Sequence, residues 1–342
     1  MRIALVGTEL APARVGAGAL ETLLDGWATA LAADGDEVHL IGSPGTAVGV
    51  ATAVTRHELA RHPAGLDALI DSLAPDVVVL DNRPGWQEQV RAPTLHLLHN
   101  WPDAWELAGR DPVGLVGRAG VAAVSGALAA AAASALGRDR ESVAVVDPFV
   151  GDAFTRIDAD PTPGWVLAPN RLLTKKGVRQ LVAASHEPVL AAKRIGVTDF
   201  LSPWTVPTGE HRELRAVVAG APRCELVPPP ATREAMAALV ARAEVVVVPS
   251  IGPEGFGMVA AEAQAVGVPV VSSGLGGLAE ATLSPGRTVD PCDAPALAEA
   301  IVAAAGVGSA ARLALRAEVR GRWSLGRSLC SLRAAIETAR PS

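Results

Sequence analysis

Short apolar runs alternate with longer amphipathic segments along most of the chain. Residues 2–7 and 37–41 are two such runs, and a segment with helical periodicity, about residues 19–33, lies between them. Continuous apolar runs of this length, alternating with helices, are typical of parallel strands that are buried on both faces. The other runs that predict strands in the first half are residues 76–80, 94–98, 121–124 and 143–146. The pattern predicts a doubly wound α/β domain.

The same pattern begins again after a polar, proline-containing stretch at residues 158–163. The runs that predict strands of this second series are residues 165–168, 188–191, 224–227, 245–248 and 268–271. One more amphipathic segment, residues 323–339, follows. We therefore predict two Rossmann-like domains, residues 1–157 and 158–322, and a C-terminal helix within 323–342 that packs back on the first domain. A ligand is expected in a cleft between the domains, beyond the carboxyl ends of the strands.

The composition narrows the classes of function. The chain has 342 residues, of which 49% are hydrophobic and 19% are charged, as in folded two-domain proteins. It contains seven Trp, four Phe and no Tyr, and its formal net charge is −6. Neither a base-stacking surface nor a phosphate-neutralising basic patch is therefore expected, and we predict no nucleic-acid partner.

Three features bear on the cellular compartment. Residues 119–137 carry no charge, but Ala, Gly and Ser dominate them, so they predict a buried strand and helix rather than a membrane span. The chain reaches Glu9 before a long apolar run can form, so no signal peptide is expected. Three widely spaced cysteines suit neither a metal knuckle nor a disulfide framework. Together these features predict a cytoplasmic protein with no integral membrane segment.

Two glutamates flank a glycine-rich turn in residues 249–271. Glu254 lies in the turn that follows a predicted strand, Gly255 and Gly257 come next, and Glu262 lies within the helix that begins near Gly257. The glycines allow backbone N–H groups to approach an anion closely, and the helix N-terminus adds about half a positive charge. Carboxylates accept hydrogen bonds from the hydroxyls of a hexose or a ribose. This combination suits a sugar nucleotide.

Two cations follow the first strand of the second series. Arg171 comes shortly after this strand, and Lys176 precedes Gly177 at the start of a predicted helix. Because the carboxyl ends of parallel strands meet at one edge of a sheet, both cations are expected beside the Glu254 turn. Negative charge grows on a diphosphate as the glycosidic bond breaks, and prepositioned cationic donors stabilise it.

These motifs resemble the retaining family-4 glycosyltransferases, which have the GT-B fold. The family's Gly-Arg-x4-Lys-Gly pattern is found at residues 170–177, with Asn in place of the usual first Gly. Its two glutamates separated by seven residues are Glu254 and Glu262, and its Gly-Gly-x-x-Glu is found at residues 276–280. The similarity extends over almost the whole chain. It implies two Rossmann-like domains that face a central cleft, the first binding the acceptor and the second the nucleotide sugar.

The resemblance also implies a role for each matched residue. Arg171 and Lys176 should hold the diphosphate, Glu254 the hexose, and Glu262 the ribose hydroxyls. His99 follows a strand as the family's sugar-facing histidine does, and it should meet the hexose near O6. The residues implied in catalysis are Glu254, Arg171, Lys176 and His99. The residues implied in donor binding are Glu262, Gly255, Phe256, Gly257, Met258, Val259, Gly16, Gly18, Leu226 and Val227, of which the last two lie where the family frames the base.

The sequence thus predicts a retaining hexosyltransferase that moves a sugar from a UDP- or GDP-sugar to a hydroxyl of a soluble small molecule or saccharide, as in natural-product or saccharide biosynthesis. No side chain is an obvious nucleophile, which favours front-face attack, in which the leaving phosphate takes the proton of the acceptor. Arg171 and Lys176 already neutralise the diphosphate, and no Asp-x-Asp motif occurs in the appropriate loop. We therefore expect neither a metal nor a cofactor.

Two other functions stay open on the same scaffold. A sugar-nucleotide 2-epimerase would need an acid and a base near C2 and no acceptor, whereas a catalytically silent GT-B protein would bind a nucleotide or another subunit.

Trp101 and Trp105 are candidates for an apolar acceptor platform. Residues 193–212, which include Trp204, depart from the family pattern and are expected to shape donor or acceptor choice. The donor base, the sugar, the acceptor and the oligomeric state stay open.

Overall fold

The computed structural model describes residues 1–7, 19–42, 53–59, 64–105, 111–117, 119–200 and 208–340. The chain forms two compact units, and each is an α/β unit with a parallel sheet. The first unit comprises Met1–Phe149 together with Ser324–Ser342, and the second comprises Val150–Trp323. The limits expected from the sequence were 157 and 322.

The first unit contains a seven-stranded sheet in the order β3-β2-β1-β4-β5-β6-β7, and all of its strand pairs are parallel. Its strands are β1 (Arg2–Val6), β2 (Glu37–Gly42), β3 (Val54–Glu58), β4 (Val77–Asp81), β5 (Thr94–Leu98), β6 (Gly120–Ala123) and β7 (Val143–Val145). Its helices are α1 (Ala19–Ala33), α2 (Leu66–Leu73), α3 (Pro112–Val116), α4 (Gly126–Ala135) and the last helix of the chain, α13 (Leu325–Ala339).

The second unit contains a six-stranded parallel sheet in the order β10-β9-β8-β11-β12-β13. Its strands are β8 (Trp165–Ala168), β9 (Arg194–Thr198), β10 (Cys224–Val227), β11 (Val245–Val248), β12 (Val270–Ser272) and β13 (Arg287–Thr288). Its helices are α5 (Asp152–Thr155), α6 (Val178–Ser185), α7 (Gly209–Ala219), α8 (Arg233–Ala241), α9 (Met258–Val266), α10 (Leu278–Ala281), α11 (Ala294–Ala305) and α12 (Ser309–Arg322).

One strand prediction is wrong. Residues 188–191 were predicted as a strand, but Pro188–Leu190 form a short 3-10 turn and the strand is β9, Arg194–Thr198. An arginine and a glycine interrupt the apolar character of β9. The glycine, Gly196, lies under the ring of Trp165, where a Cβ would come within 2.4 Å of the indole. A small residue is needed there so that the indole can pack on the neighbouring strand.

Two strands were not predicted. The edge strand β3 has mostly polar, partly exposed residues and pairs only with β2 among the described residues, so no apolar run marks it. Strand β13 has two residues, too few for a periodic pattern.

Both cores combine strand residues with helix residues. In the second unit, Val166, Ile195, Val245 and Leu297 belong to one buried cluster that joins the sheet to α6, α7 and α11. In the first unit, a buried cluster joins β1 and β4 to α2. This burial explains the continuous apolar runs of the central strands.

Helix α13 completes the first unit. Trp27 is buried in α1, and its Nε1 donates to Oγ of Ser328 on α13 at 2.8 Å. At the far end of α13, a Cβ on Gly120 would come within 2.7 Å of the Cβ of Ala339, so β6 and α13 pack closely. The helix begins at Leu325, whereas the sequence pattern predicted a start at Trp323. Trp323 instead packs against Phe256 of the second unit, with ring centroids 5.3 Å apart.

Metal ions and membranes call for two other classes of feature. No group of three or more His, Cys, Asp or Glu side chains in the described ranges could hold a metal ion. In the same ranges, no single helix is long and apolar enough to cross a membrane, and only the bent pair Ala294–Ala305 with Ser309–Ala339 passes that test, by length and composition alone.

Candidate functional site

The strand order of each sheet reverses at one point. In the second unit this switch lies between β8 and β11, which are paired although β9 and β10 come between them in the chain. Ligands of open parallel sheets bind outside the carboxyl ends of the strands at such a switch. The loop after β8 carries Arg171 and Lys176, and the loop after β11 carries Ser250 and Glu254. The fold therefore places two cations and a carboxylate where a ligand is expected.

The side chains of Lys176 and Glu254 are in contact. The Lys176 ammonium donates to Oε1 of Glu254, and Oγ of Ser250 donates to the same oxygen at 2.6 Å. Both partners are largely buried, with exposed side-chain fractions of 15% for the lysine and 20% for the glutamate. In the described part of the chain, no donor is bonded to the other oxygen of Glu254, Oε2, so it can accept hydrogen bonds from a ligand.

Opposing effects act on the charges of this pair. Burial by itself would raise the pKa of Glu254, but the Lys176 charge and the hydrogen bonds from Lys176 and Ser250 outweigh burial and lower that pKa below its ordinary value. Burial lowers the pKa of Lys176, and the nearby charges of Arg171 and Lys175 act in the same direction, whereas Glu254 opposes them. The site therefore favours a carboxylate at Glu254. An added anion would stabilise the protonated form of Lys176.

The turn at Gly177 fixes the position of Lys176. Gly177 has φ +73°, a left-handed conformation, and a Cβ there would lie 1.7 Å from the carbonyl oxygen of Pro249. The loop after β8 can therefore approach the end of β11 only with glycine at this position. The backbone N–H of Ile251 donates to the carbonyl of Lys175 at 3.0 Å, which ties the two loops together.

A second loop supports the Glu254 turn. The carbonyl of Glu254 accepts from the N–H of Gly277 at 2.8 Å, and residues 254 and 276 form an isolated parallel bridge. Helix α9 then begins after Gly257, whose φ is +112° and whose Cβ position is filled by the side chain of Leu278. The Gly-Gly-x-x-Glu segment thus holds the turn against the start of α9. The N-terminus of α9 contributes a partial positive charge near the turn.

Arg171 lies in the same loop as Lys176. Its backbone forms a parallel bridge with Phe200, and its side chain is exposed. No hydrogen bond or ion pair joins its guanidinium to another described residue, although its charge acts on Lys176. A solvent-facing guanidinium beside a buried ammonium is suited to hold a multiply charged anion.

Glu262 lies away from the Lys176 pair, on the second turn of α9. It is 5% exposed, and its Oε1 accepts from the guanidinium of Arg233, the first residue of α8. Burial raises the pKa of Glu262, and the Arg233 charge and hydrogen bond oppose that shift. The structure therefore separates the two motif glutamates into two environments.

The other predicted donor-binding residues of the second unit differ in how far they are buried. Leu226 and Val227 end β10, on the edge of the sheet, and both are half-buried. Phe256 is 6% exposed because its ring packs on Trp323, so only its backbone can serve a ligand. Met258 and Val259 begin α9 and are half-buried.

In the first unit, His99 forms a buried pair with Asp81. His99 follows β5, Asp81 ends the neighbouring strand β4, and Nε2 of the histidine lies 2.6 Å from Oδ1 of the aspartate. Asp81 is completely buried, and its Oδ2 has no hydrogen-bond partner among the described residues. The next residue, Asn82, has φ +56° and accepts from the N–H groups of His99 and Asn100, each at 3.2 Å. This arrangement fixes both the ring and the backbone of His99.

The remaining predicted residues are two tryptophans of the first unit and three residues outside the described ranges. Trp105 is 8% exposed, and its Nε1 donates to the carbonyl of Asn100 at 3.0 Å, so it is part of the folded core and not an open platform. Trp101 is half-buried. Gly16, Gly18 and Trp204 lie outside the described residues.

Sequence reasoning missed Ser250, Arg233 and Asp81. Ser250 and Asp81 stand at the carboxyl ends of central strands, so the rule that identified His99 could have found both. Nothing in the local pattern marks Arg233, because its partner is 29 residues away on another helix.

Comparison with known proteins decides the family of the second unit. A family model described as Glycosyl transferases group 1 matches residues 165–306. Residues 165–306 form a glycosyl transferases group 1 domain. This glycosyl transferase domain includes Arg171, Lys176, Glu254 and Glu262, and the family resemblance predicted from these residues is confirmed.

Two relatives of this glycosyl transferase domain bear the name D-inositol 3-phosphate glycosyltransferase. The one from Xylanimonas cellulosilytica is 31% identical over 279 residues, which are 71% of this chain and 66% of that protein. The one from Pseudarthrobacter chlorophenolicus is 38% identical over 132 residues, which are 38% of this chain and 30% of that protein. The matched regions thus span less than two thirds of the length of these relatives.

Solved structures agree with the fold over nearly the whole chain. Anabaena HepE, solved in complex with UDP, has a TM-score of 0.76 at 20% identity, with 99% of this chain and 100% of that chain covered. A glycosyltransferase from Rickettsia africae has a TM-score of 0.75 at 19% identity, with 99% and 98% covered. The predicted fold class, GT-B with two parallel-sheet α/β units, is confirmed.

Proposed function

We propose that this protein is a hexosyltransferase that uses a nucleotide-diphosphate sugar, a UDP- or GDP-sugar, and retains the configuration at the transferred carbon. The observation that carries this proposal is the contact between Lys176 and Glu254 at the switch point of the second sheet, with the exposed Arg171 in the same loop. The group 1 family of this domain supports it.

The charge distribution suits the chemistry of a diphosphate leaving group. When the bond between the anomeric carbon and the diphosphate breaks, its electron pair goes to the phosphate oxygen, and Arg171 and Lys176 stabilise that charge. The acceptor hydroxyl attacks the same face, and its proton goes to the leaving phosphate oxygen. This front-face route needs no enzyme nucleophile.

The two glutamates hold the hydroxyls of the donor in this proposal. Glu254 uses Oε1 for Lys176 and Ser250, which leaves Oε2 for hydroxyls of the hexose. Glu262 receives the ribose hydroxyls, and the end of β10 at Leu226 and Val227 frames the base through aliphatic and backbone contacts. His99 is proposed as the sugar-facing residue of the first unit, held by Asp81.

The cations also bear on metal dependence. Arg171, Lys176 and the N-terminus of α9 supply positive charge where the diphosphate would lie, and we propose that transfer needs no metal ion and no cofactor. The check is transfer with and without EDTA, and a loss of activity that Mg²⁺ or Mn²⁺ restores would refute metal independence.

The acceptor is proposed to be a hydroxyl of a soluble small molecule or a saccharide. The name shared by two relatives, D-inositol 3-phosphate glycosyltransferase, adds phosphorylated cyclitols to the acceptors worth assaying.

The decisive experiment is a thermal-shift panel of UDP-, GDP- and dTDP-sugars, followed by incubation with the donor alone. A donor at 100 times its Kd stabilises the folded state by about 2.7 kcal/mol, which a melting curve detects. Slow release of nucleoside diphosphate supports a transferase. Formation of an epimerised nucleotide sugar would refute the transferase and identify the protein as a 2-epimerase. If no donor raises the melting temperature, the nucleotide-sugar site is refuted.

A further inference from the structure

Glu262 forms an ion pair with Arg233, a residue that belongs to none of the sequence motifs described above. Glu262 is 5% exposed and lies on α9, while Arg233 is the first residue of α8. A buried carboxylate is costly unless a partner is held in good geometry. The contact with Arg233 opposes the effect of burial on the ionisation of Glu262, and it fixes the orientation of the carboxylate.

Two contacts hold the guanidinium of Arg233 in place. Its guanidinium donates to Oε1 of Glu262 and lies over the ring of Phe154, with Cζ 4.7 Å from the ring centroid. Phe154 belongs to α5 and is completely buried. A guanidinium stacked on an aromatic face and bonded to a carboxylate has little freedom to turn.

The position of Arg233 on its own helix is unfavourable. Thr232 caps α8 by accepting from the N–H of Ala235 at 3.1 Å, so Arg233 stands at the first helical position. A cation at a helix N-terminus is repelled by the helix dipole. Local structure does not explain an arginine here, whereas the contact with Glu262 does.

The contact uses only one carboxylate oxygen. Within the described ranges, Oε2 of Glu262 has no protein donor, and the arginine side chain is 31% exposed, so one edge of the pair reaches solvent. A carboxylate with one oxygen fixed by a guanidinium presents its second oxygen in a defined direction. Two vicinal hydroxyls, such as those of a ribose, can donate to that oxygen together.

We propose that Arg233 is a positioning residue that aims Oε2 of Glu262 at the 2′- and 3′-hydroxyls of the donor and so selects ribonucleotides over 2′-deoxyribonucleotides. This inference rests on the proposed function. It predicts discrimination against dTDP-sugars as a consequence of the Arg233–Glu262 geometry.

The experiment measures dissociation constants by calorimetry for UDP against 2′-deoxy-UDP, and for GDP against 2′-deoxy-GDP. The wild-type protein is expected to bind the ribo form of its preferred base about tenfold more tightly, the effect of one hydrogen bond to a charged group. In Arg233→Met this ratio falls to near one, and in Arg233→Lys, which keeps the charge but not the planar fork, it is intermediate. Arg242→Met, an exposed position at the other end of the same helix, keeps the wild-type ratio.

The outcomes separate the two proposals. If the wild-type protein binds neither diphosphate, the proposed function fails, and this inference fails with it. If the wild-type protein prefers the ribo form and Arg233→Met keeps that preference, only the inference about Arg233 is overturned. Circular dichroism checks folding, and if Arg233→Met does not fold, the ratio in Arg233→Lys decides: an unchanged ratio overturns the inference.

Discussion

Two lysine–glutamate pairs lie at opposite edges of the second sheet. Lys176 and Glu254 meet at the carboxyl edge, and Lys193 and Glu244, which directly precede β9 and β11, meet at the amino edge with Nζ and Oε2 2.5 Å apart. Their exposed side-chain fractions are nearly the same, 15% and 20% against 16% and 19%. Burial and pairing by themselves therefore do not mark a functional site.

The surroundings of the two pairs differ. Beside the carboxyl-edge pair, Lys175 and Arg171 add positive charge that the single carboxylate does not neutralise. Beside the amino-edge pair, the guanidinium of Arg312 is bonded to the backbone carbonyls of Glu244 and Val307. Surplus cationic charge at the switch point of a sheet, rather than an ion pair alone, is what distinguishes an anion site.

The largest effect is expected from removing the charge of the carboxylate at each edge. Glu254→Gln should lower the rate of donor turnover by about 10²–10³-fold, because the oxygen proposed to bind the hexose loses its charge. Glu244→Gln should leave turnover unchanged. Both variants should lose similar stability in urea unfolding, about 1–3 kcal/mol, since each leaves a half-buried lysine without its partner. Equal turnover in the two variants would remove the functional distinction between the edges.

Removing the lysines should produce the next largest difference. Lys176→Met should weaken binding of the nucleoside diphosphate by about 10- to 100-fold, the loss of hydrogen bonds to a charged group. Lys193→Met should bind as the wild type does. Titration calorimetry measures both, and tight binding by Lys176→Met would contradict the assignment of this ammonium to the diphosphate.

A smaller effect is expected in the first unit, where the buried pair is His99 with Asp81. Asp81→Asn keeps the shape but removes the charge that orients the ring, and it should lower turnover by about tenfold. Asp76→Asn is the matched control, because Asp76 lies at the amino end of the same strand and accepts from the N–H of Arg2 at 2.7 Å. Equal losses of turnover in the two variants would contradict the role of Asp81 in orienting His99.

The smallest effect concerns the pH dependence of stability, and it should have opposite signs for the two motif glutamates. The pKa of Glu254 is lowered in the folded protein, so its stabilising contribution is complete above pH 4.5 and is lost as the pH falls through the lowered value. The pKa of Glu262 is raised, so its ionisation destabilises the fold as the pH rises above 4.5. Urea unfolding followed from pH 7 down to about pH 2.5 should therefore show a weaker acid loss of stability in Glu254→Gln and a stronger one in Glu262→Gln.

Much of the fold and part of the site follow from the sequence for clear physical reasons. Central strands are buried on both faces, so their apolar runs are visible, and the shared carboxyl edge predicts that Lys176 and Glu254 lie together. The edge strand β3 is half exposed and polar, and β9 is interrupted by Gly196, so neither shows such a run.

The missed site residues have a different cause. The partners Arg233 and Glu262 stand on two helices, and Asp81 and His99 lie at the carboxyl ends of two neighbouring strands, so each contact depends on how separate elements pack. Periodicity reports which face of an element is buried. It does not report which side chain of a distant element that face meets.

The place of α13 affects how the chain folds during synthesis. The residues that accept the Trp27 indole and cover β6 are Ser328 and Ala339, which a ribosome adds only after all of the second unit. The first unit is thus begun first and completed last. Its unfinished sheet exposes apolar surface through the whole time that residues 150–323 are made, which is the interval in which chaperones would be most needed.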